Sequence, residues 1–251
     1  MNKEQIGKLI DKYEKEYMDF MGLEEFPKYK VECFEININK TDAAGFGALA
    51  QAKYNPHTDE HTLRICSNLE VIKYVVFHEF THILDAEMYA KNNPANYAYL
   101  SGYTEYHASQ IELMFLLGKD NIHSMQQSTF SLSTRIAVFP NRMSVAEYLH
   151  EKHQFILDMM CRDDFPKDLE TLKSTIGVLY NYLGIRSICK MYGTDYIEGV
   201  DNTNIIKWIP LPLFSVINTF MQGWFDQIKV EKSFGPYSNA IFPLAKECGF
   251  L

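Results

Sequence analysis

Two histidines and a glutamate have the types and spacing to do chemistry. They occupy the run His78-Glu79-Phe80-Thr81-His82, with the histidines four positions apart. On an α-helix that spacing sets both imidazoles on one face, a turn apart, where they can share one metal ion. Glu79 follows about 100° further round the helix. It can stand beside the metal without binding it and act as general base on a zinc-bound water. The run thus supplies two ligands and one base. A catalytic zinc site takes a third protein ligand and leaves one position for water.

The elements that must position these residues are partly legible around them. From about Asn68 to Ala90 there is no Gly or Pro and the apolar residues recur at helical spacing, which predicts one long helix ended by Asn92-Asn93-Pro94. Ile72, Val76, Phe77, Phe80, Ile83 and Leu84 fill one arc; Val71, Val75, His78, His82 and Asp85 form the other. A helix apolar on nearly all sides is buried centrally, and polar groups on its stripe cost free energy unless satisfied, as metal coordination would do. A second helix, expected over Thr104 to Leu117 and closed by Gly118, offers Glu105 and Glu112 as third ligand. Glu105 stands 23 positions after His82, which suits a short connection and a crossing helix. It is preferred to Glu112 because it lies nearer the start of its helix, beside Gly102 and Ala108, whose small size would let the two helices approach. The metzincin pattern, with Gly and then His three and six positions after the second histidine, does not fit, because Asp85 and Met88 stand there.

His78-Glu79-x-x-His82 followed by a helical glutamate resembles the gluzincin group of zinc metallopeptidases. The run Glu105-Tyr106-His107-Ala108 resembles the glutamate helix of the small ImmA/IrrE-like peptidases, the likeness covering roughly residues 60 to 118. The resemblance implies a zincin-like core, a small twisted sheet packed on the His78 helix and a glutamate helix. It implies Zn2+ held by His78, His82 and Glu105, with Glu79 as base. It also implies an edge strand that holds an extended peptide by main-chain pairing, for which Leu63 to Cys66 is the candidate. A Tyr or His stabilises the oxyanion in this group, and Tyr97, Tyr99, Tyr103, Tyr106, His107, His150 and His153 all stay open for that role. Where many gluzincins place Asp, four residues after the third ligand, this chain has Ser109; Asp85 could orient a ligand histidine instead.

Elsewhere the pattern is α+β. A helix is expected over residues 2 to 20, a strand from Tyr29 to Asn39, an interruption at Gly45 and Gly47, and a hairpin of residues 48 to 54 and 61 to 66 around Asn55-Pro56-His57-Thr58-Asp59. Ser144-Val145-Ala146-Glu147 has capping-box form and opens a helix toward Cys161; further helices are expected at 168 to 183 and 211 to 226. The division expected is a catalytic core over 1–123 and a helical region over 124–251 packed on it. His57 and His61 flank the turn, and His150 and His153 sit in a charged run, so all four read as surface residues.

Composition narrows the function. The 251 residues are 47% hydrophobic and 22% charged, as in a folded protein. A net charge of −8 without a basic cluster argues against nucleic acid and leaves a peptide or protein substrate open. No membrane span is expected: the apolar stretch Trp208 to Ile217 contains Pro210 and Pro212 and is too short. The charged N-terminus shows no secretory signal, and five scattered cysteines without a Cys-x-x-Cys pair fit a reducing cytoplasm. The leading reading is a zinc metallopeptidase. The alternatives are a zinc-dependent hydrolase of a non-peptide amide, or a non-catalytic peptide-binding or regulatory module; an intact Glu79 speaks against the last.

Overall fold

A computed structural model describes residues 1–36, 49–124, 128–198, 214–215, 222–224 and 226–249. Helix α1 (Lys3–Met21) buries Ile6, Ile10, Tyr17 and Phe20 along one stripe. Asn2 and Gln5 close its N-terminus as a reciprocal capping box, and Gly22 ends it in the left-handed conformation, φ 70°, where a Cβ would be strained. Strand β1 (Tyr29–Phe34) follows, shorter than expected; residues 37–39 and the glycines at 45 and 47 lie outside the described residues. Strands β2 (Ala50–Asn55) and β3 (Glu60–Cys66) form the expected hairpin.

The sheet order is β1-β3-β2, with β1 parallel and β2 antiparallel to β3. This corrects one expectation. The Leu63 to Cys66 segment is the middle strand, so its main-chain groups are paired on both sides and it offers no free edge. The edge nearest the His78 helix is β2.

Helix α2 (Lys73–Asp85) carries the His78 run and continues into a π-helical turn, Ala86–Ala90. Residues 68–72 are not helical; Ile72 is extended and no side chain caps the helix. Phe77 and Phe80 are almost fully buried and meet the ring of Tyr17 at 5.3 and 5.4 Å. Burial of a side chain of this size contributes about 1.5–3 kcal/mol. Lys91 and Asn92 take left-handed conformations, and Asn93 then caps helix α3 (Pro94–Leu116) through Ala95 and Asn96 N–H, with Pro94 in the first turn. The Asn-Asn-Pro stop is therefore also a start, and α3 begins well before the expected Thr104.

Beyond α3 lie a hairpin of β4 (Arg135–Val138) and β5 (Asn141–Ser144), then α4 (Val145–Met160), α5 (Leu169–Tyr192) and α6 (Gln227–Glu247). The Ser144 and Glu147 capping box forms as expected. Helix α5 runs on to Tyr192 instead of ending near 183, and α6, which contains Pro236 and Pro243, has no counterpart in the sequence reading. The helix expected at 211–226 falls almost wholly outside the described residues, as does most of the Trp208 to Ile217 stretch; Gly223 and Trp224 are not helical. Helix α2 packs between β2 and α3, and α3 packs against α5 and α6 on its other sides. One apolar core joins Tyr17, Phe77 and Tyr106 to Ile156, Tyr180 and Ile188, so α4 and α5 share a core with the first half. Gly102 was expected to admit the first helix. Its absent side chain instead makes room for Tyr180 of α5, whose ring would lie 2.7 Å from a Cβ. No described helix is long and apolar enough to cross a membrane.

Candidate metal centre

Helix α2 turns His78 and His82 toward α3, their ring centroids 4.8 Å apart. Glu105 of α3 faces both: its carboxylate oxygens lie 3.5 Å from His78 Nε2 and 3.7 Å from His82 Nε2. Those separations are long for hydrogen bonds. Two ligands held about 2.1 Å from one tetrahedral zinc stand about 3.4 Å apart. Each separation is close to that value, with Oε2 facing His78 and Oε1 facing His82, so one carboxylate reaches toward both imidazoles.

The other ring nitrogens are already committed. His78 Nδ1 lies 2.9 Å from Glu112 Oε2. A carboxylate can only accept, so Nδ1 carries a hydrogen, and Nε2 is the nitrogen that a metal can reach once it gives up its own proton. His82 Nδ1 is 2.8 Å from Thr104 Oγ1, which can accept in the same way. Both sequence candidates for third ligand thus reach His78 from opposite sides of its ring. Glu105 bridges the two Nε2 atoms, and Glu112 holds the ring from behind.

Glu79 lies close by, with donor atoms of His78, Glu79 and His82 within 4.8 Å of one another. One of its oxygens accepts the Ala52 N–H at 2.5 Å. That amide is available for a reason of register. Cys66 N–H bonds Leu49 O, so the odd-numbered β2 residues pair with β3, and the main chain of Ala50, Ala52 and Tyr54 turns to the edge that is open among the described residues. Burial pushes the Glu79 carboxyl above its usual range, against the pull of His82 and His78. Burial would lower His78, but Glu105 and Glu112 outweigh it and hold the imidazole up at about 10. Burial likewise opposes ionisation of Glu105 and Glu112, and nearby cations outweigh it: the histidines at Glu105, and Lys152 then His78 at Glu112, hold each near about 2. Without metal, a proton occupies the place between the carboxylates.

The C-terminal helices complete this frame. Tyr148 of α4 donates its hydroxyl to Glu112. Asn181 of α5 hydrogen-bonds Glu105 and accepts from Ser109. Sequence reasoning missed both residues. Tyr148 sits on the buried stripe of its helix and looks like core, and the only signal for Asn181 is an amide within the otherwise apolar run 176–185.

Several expectations change. Asp85 is buried and bonds His107 Nδ1 at 2.9 Å, so the histidine it orients is not one of the converging pair. Ser109 turns to Asn181. His61 is buried, stacked on Tyr54 and bonded through Nε2 to Glu87 at 3.0 Å; it was expected at the surface. His153 is also buried, against Tyr182, while His150 and His57 are exposed. Among the oxyanion candidates, only Tyr97 and Tyr99 line the cleft that opens beside His82 and Glu105. Tyr106 donates to Gly223 O, and Tyr103 stacks on His107. Tyr237 of α6, not among those candidates, lines the same cleft. Comparison of the chain with protein-family models, curated proteins and solved structures finds no match.

Proposed function

We propose that the protein is a zinc-dependent peptidase with a zincin-like core, in which His78, His82 and Glu105 hold the metal and Glu79 is the general base. One observation carries the reading: two imidazole Nε2 atoms and one carboxylate converge at ligand spacing while both Nδ1 atoms are engaged by Glu112 and Thr104. Zinc bound there would supply Lewis-acid polarisation of a carbonyl and an acidified water.

The chain's own residues account for the remaining work. Glu79 lies beside the two histidines, and burial raises its pKa, which favours a carboxylate that takes a proton from water and returns it to a leaving amine. The open edge of β2 offers the Ala50, Ala52 and Tyr54 main chain to an extended peptide. A substrate carbonyl that accepts the Ala52 N–H frees the Glu79 oxygen now bonded to it. Tyr97, Tyr99 and Tyr237 border the cleft and are the candidates to steady the oxyanion. A cytoplasmic setting fits five free cysteines.

The test is metal content and peptide hydrolysis of the zinc-supplemented protein, Glu79→Gln and His82→Ala. The expectation is about one zinc per chain, kept by Glu79→Gln and largely lost by His82→Ala, with hydrolysis abolished in both. Zinc-free wild type refutes the ligand set; hydrolysis that survives Glu79→Gln refutes the base.

A further inference from the structure

The cleft beside His82 and Glu105 encloses about 550 Å3, within the range of small-ligand sites. That is room for a large side chain and part of the peptide that carries it. Most of the wall is apolar or aromatic. Tyr54 of β2, Tyr97 and Tyr99 of α3, Ile176 of α5 and Tyr237 of α6 border it, so it is built from both halves of the chain. The Tyr54 hydroxyl is already engaged by Asp59 and Asn92, at 2.9 and 2.8 Å, so what this side chain leaves for a ligand is ring surface. The Tyr97 ring packs edge-to-face on it, at 5.2 Å.

Gly177 of α5 lies in the same wall, beside Glu105. Helix α5 holds two glycines, and they differ in what a side chain would meet. A Cβ at Gly184 would run into the Tyr106 carbonyl, so the close crossing of α3 and α5 requires that glycine. At Gly177 the three atoms nearest to a Cβ would all belong to the Glu105 side chain, at 3.8 to 3.9 Å, an ordinary van der Waals contact. Packing therefore tolerates a methyl group at 177, and helix propensity alone would favour one. A longer side chain would project toward Glu105 and take up part of the cleft. The missing side chain keeps the cleft open as far as the carboxylate that faces both histidines.

We propose that this cleft receives one large apolar side chain of the substrate, aromatic above all, and that Gly177 sets how large that side chain is. The inference rests on the peptidase reading for the nature of the ligand. The cleft is continuous with the metal centre through His82 and Glu105, which places the side chain on a residue flanking the bond that is cut. An aromatic ring gains there by leaving water and by contact with the tyrosine rings. A methyl side chain reaches too little of the wall to gain much.

The test uses the full chain as zinc-supplemented Glu79→Gln, so that binding is read without turnover. Calorimetry compares hexapeptides of Gly and Ala, acetylated and amidated at their ends, with one central position varied as Ala, Leu, Phe or Trp. The expected result is a dissociation constant about 10–100-fold lower for Phe or Trp than for Ala, with Leu between them. Adding Gly177→Leu should bring that ratio to about one, and adding Gly177→Ala should lower it in part, for Trp before Phe. If the Leu variant fails to fold or to hold zinc, the Ala variant decides alone, since its methyl group meets no close contact. Equal affinities across the series, a ratio unchanged in the Gly177 variants, or no binding by any member would overturn the proposal. Failure here with hydrolysis intact in the protein that keeps Glu79 leaves the peptidase reading standing. Absence of hydrolysis together with a Phe preference that depends on Gly177 would remove the peptidase reading and keep the cleft as a binding site.

Discussion

Replacing Glu112 by Gln separates the two carboxylates that meet His78. The substitution keeps the shape and an acceptor for the Nδ1–H, and it removes the charge that faces the ring at 2.9 Å. It also changes the partner of the Tyr148 hydroxyl. Loss of such an outer partner weakens metal affinity about 10–100-fold, or about 1.4–2.7 kcal/mol. Part of the loss is offset, because a His78 without Glu112 holds its competing proton less tightly. Glu105→Gln should cost far more, since it removes the group that bridges both Nε2 atoms at 3.5 and 3.7 Å. Competition for zinc against a chromophoric chelator measures both. A Glu112→Gln protein that cannot hold zinc, beside a Glu105→Gln protein that can, would refute the assignment and exchange the two roles.

Zinc binding near neutral pH should expel about one proton, because His78 is held up at about 10 in the metal-free protein; calorimetry in buffers of different ionisation enthalpy reads the number directly. The sign for folding follows from the same raised value: the charged imidazole stabilises the metal-free protein fully below the unfolded pKa of about 6.5, and that share is lost as pH rises through about 10, so chelated protein should melt lower at pH 10 than at pH 6. Tyr148→Phe should leave a buried Glu112 oxygen without its donor and cost about 1–3 kcal/mol of stability, seen in chemical denaturation, with a smaller loss of zinc affinity than Glu112→Gln. Gly184→Ala should cost about 1–3 kcal/mol, because a methyl group there meets the Tyr106 carbonyl where α3 and α5 cross; an unchanged melting temperature would contradict the close packing.

The sequence shows the site better than the frame that builds it. The His78 run is a local pattern, since its spacing, the apolar arc of α2 and the two candidate glutamates all follow from helical periodicity. Local signals also mark the Ser144 capping box and the β2–β3 hairpin. The choice between Glu105 and Glu112 is different in kind. It depends on which side of the His78 ring each carboxylate reaches, and that is set by the crossing of α2 and α3. The edge strand was misjudged because β1 pairs with β3 in parallel across a long connection, which no turn chemistry announces. His61 and His153 look polar and exposed in sequence, yet Tyr54 and Tyr182 cover them. Tyr148, Asn181 and Tyr237 come from distant helices whose apolar patterns mark them only as core. The π-helical turn and the prolines inside α6 break the periodicity on which a sequence reading relies.

The most direct measurement of the central claim is the position of the metal. Crystals of the zinc-loaded protein, measured on both sides of the zinc absorption edge, should show one strong anomalous peak bounded by His78 Nε2, His82 Nε2 and a Glu105 oxygen, with Glu79 beside it and Glu112 on the far side of the His78 ring. A peak bounded by Glu112 instead of Glu105, or no peak at this convergence, would contradict the account.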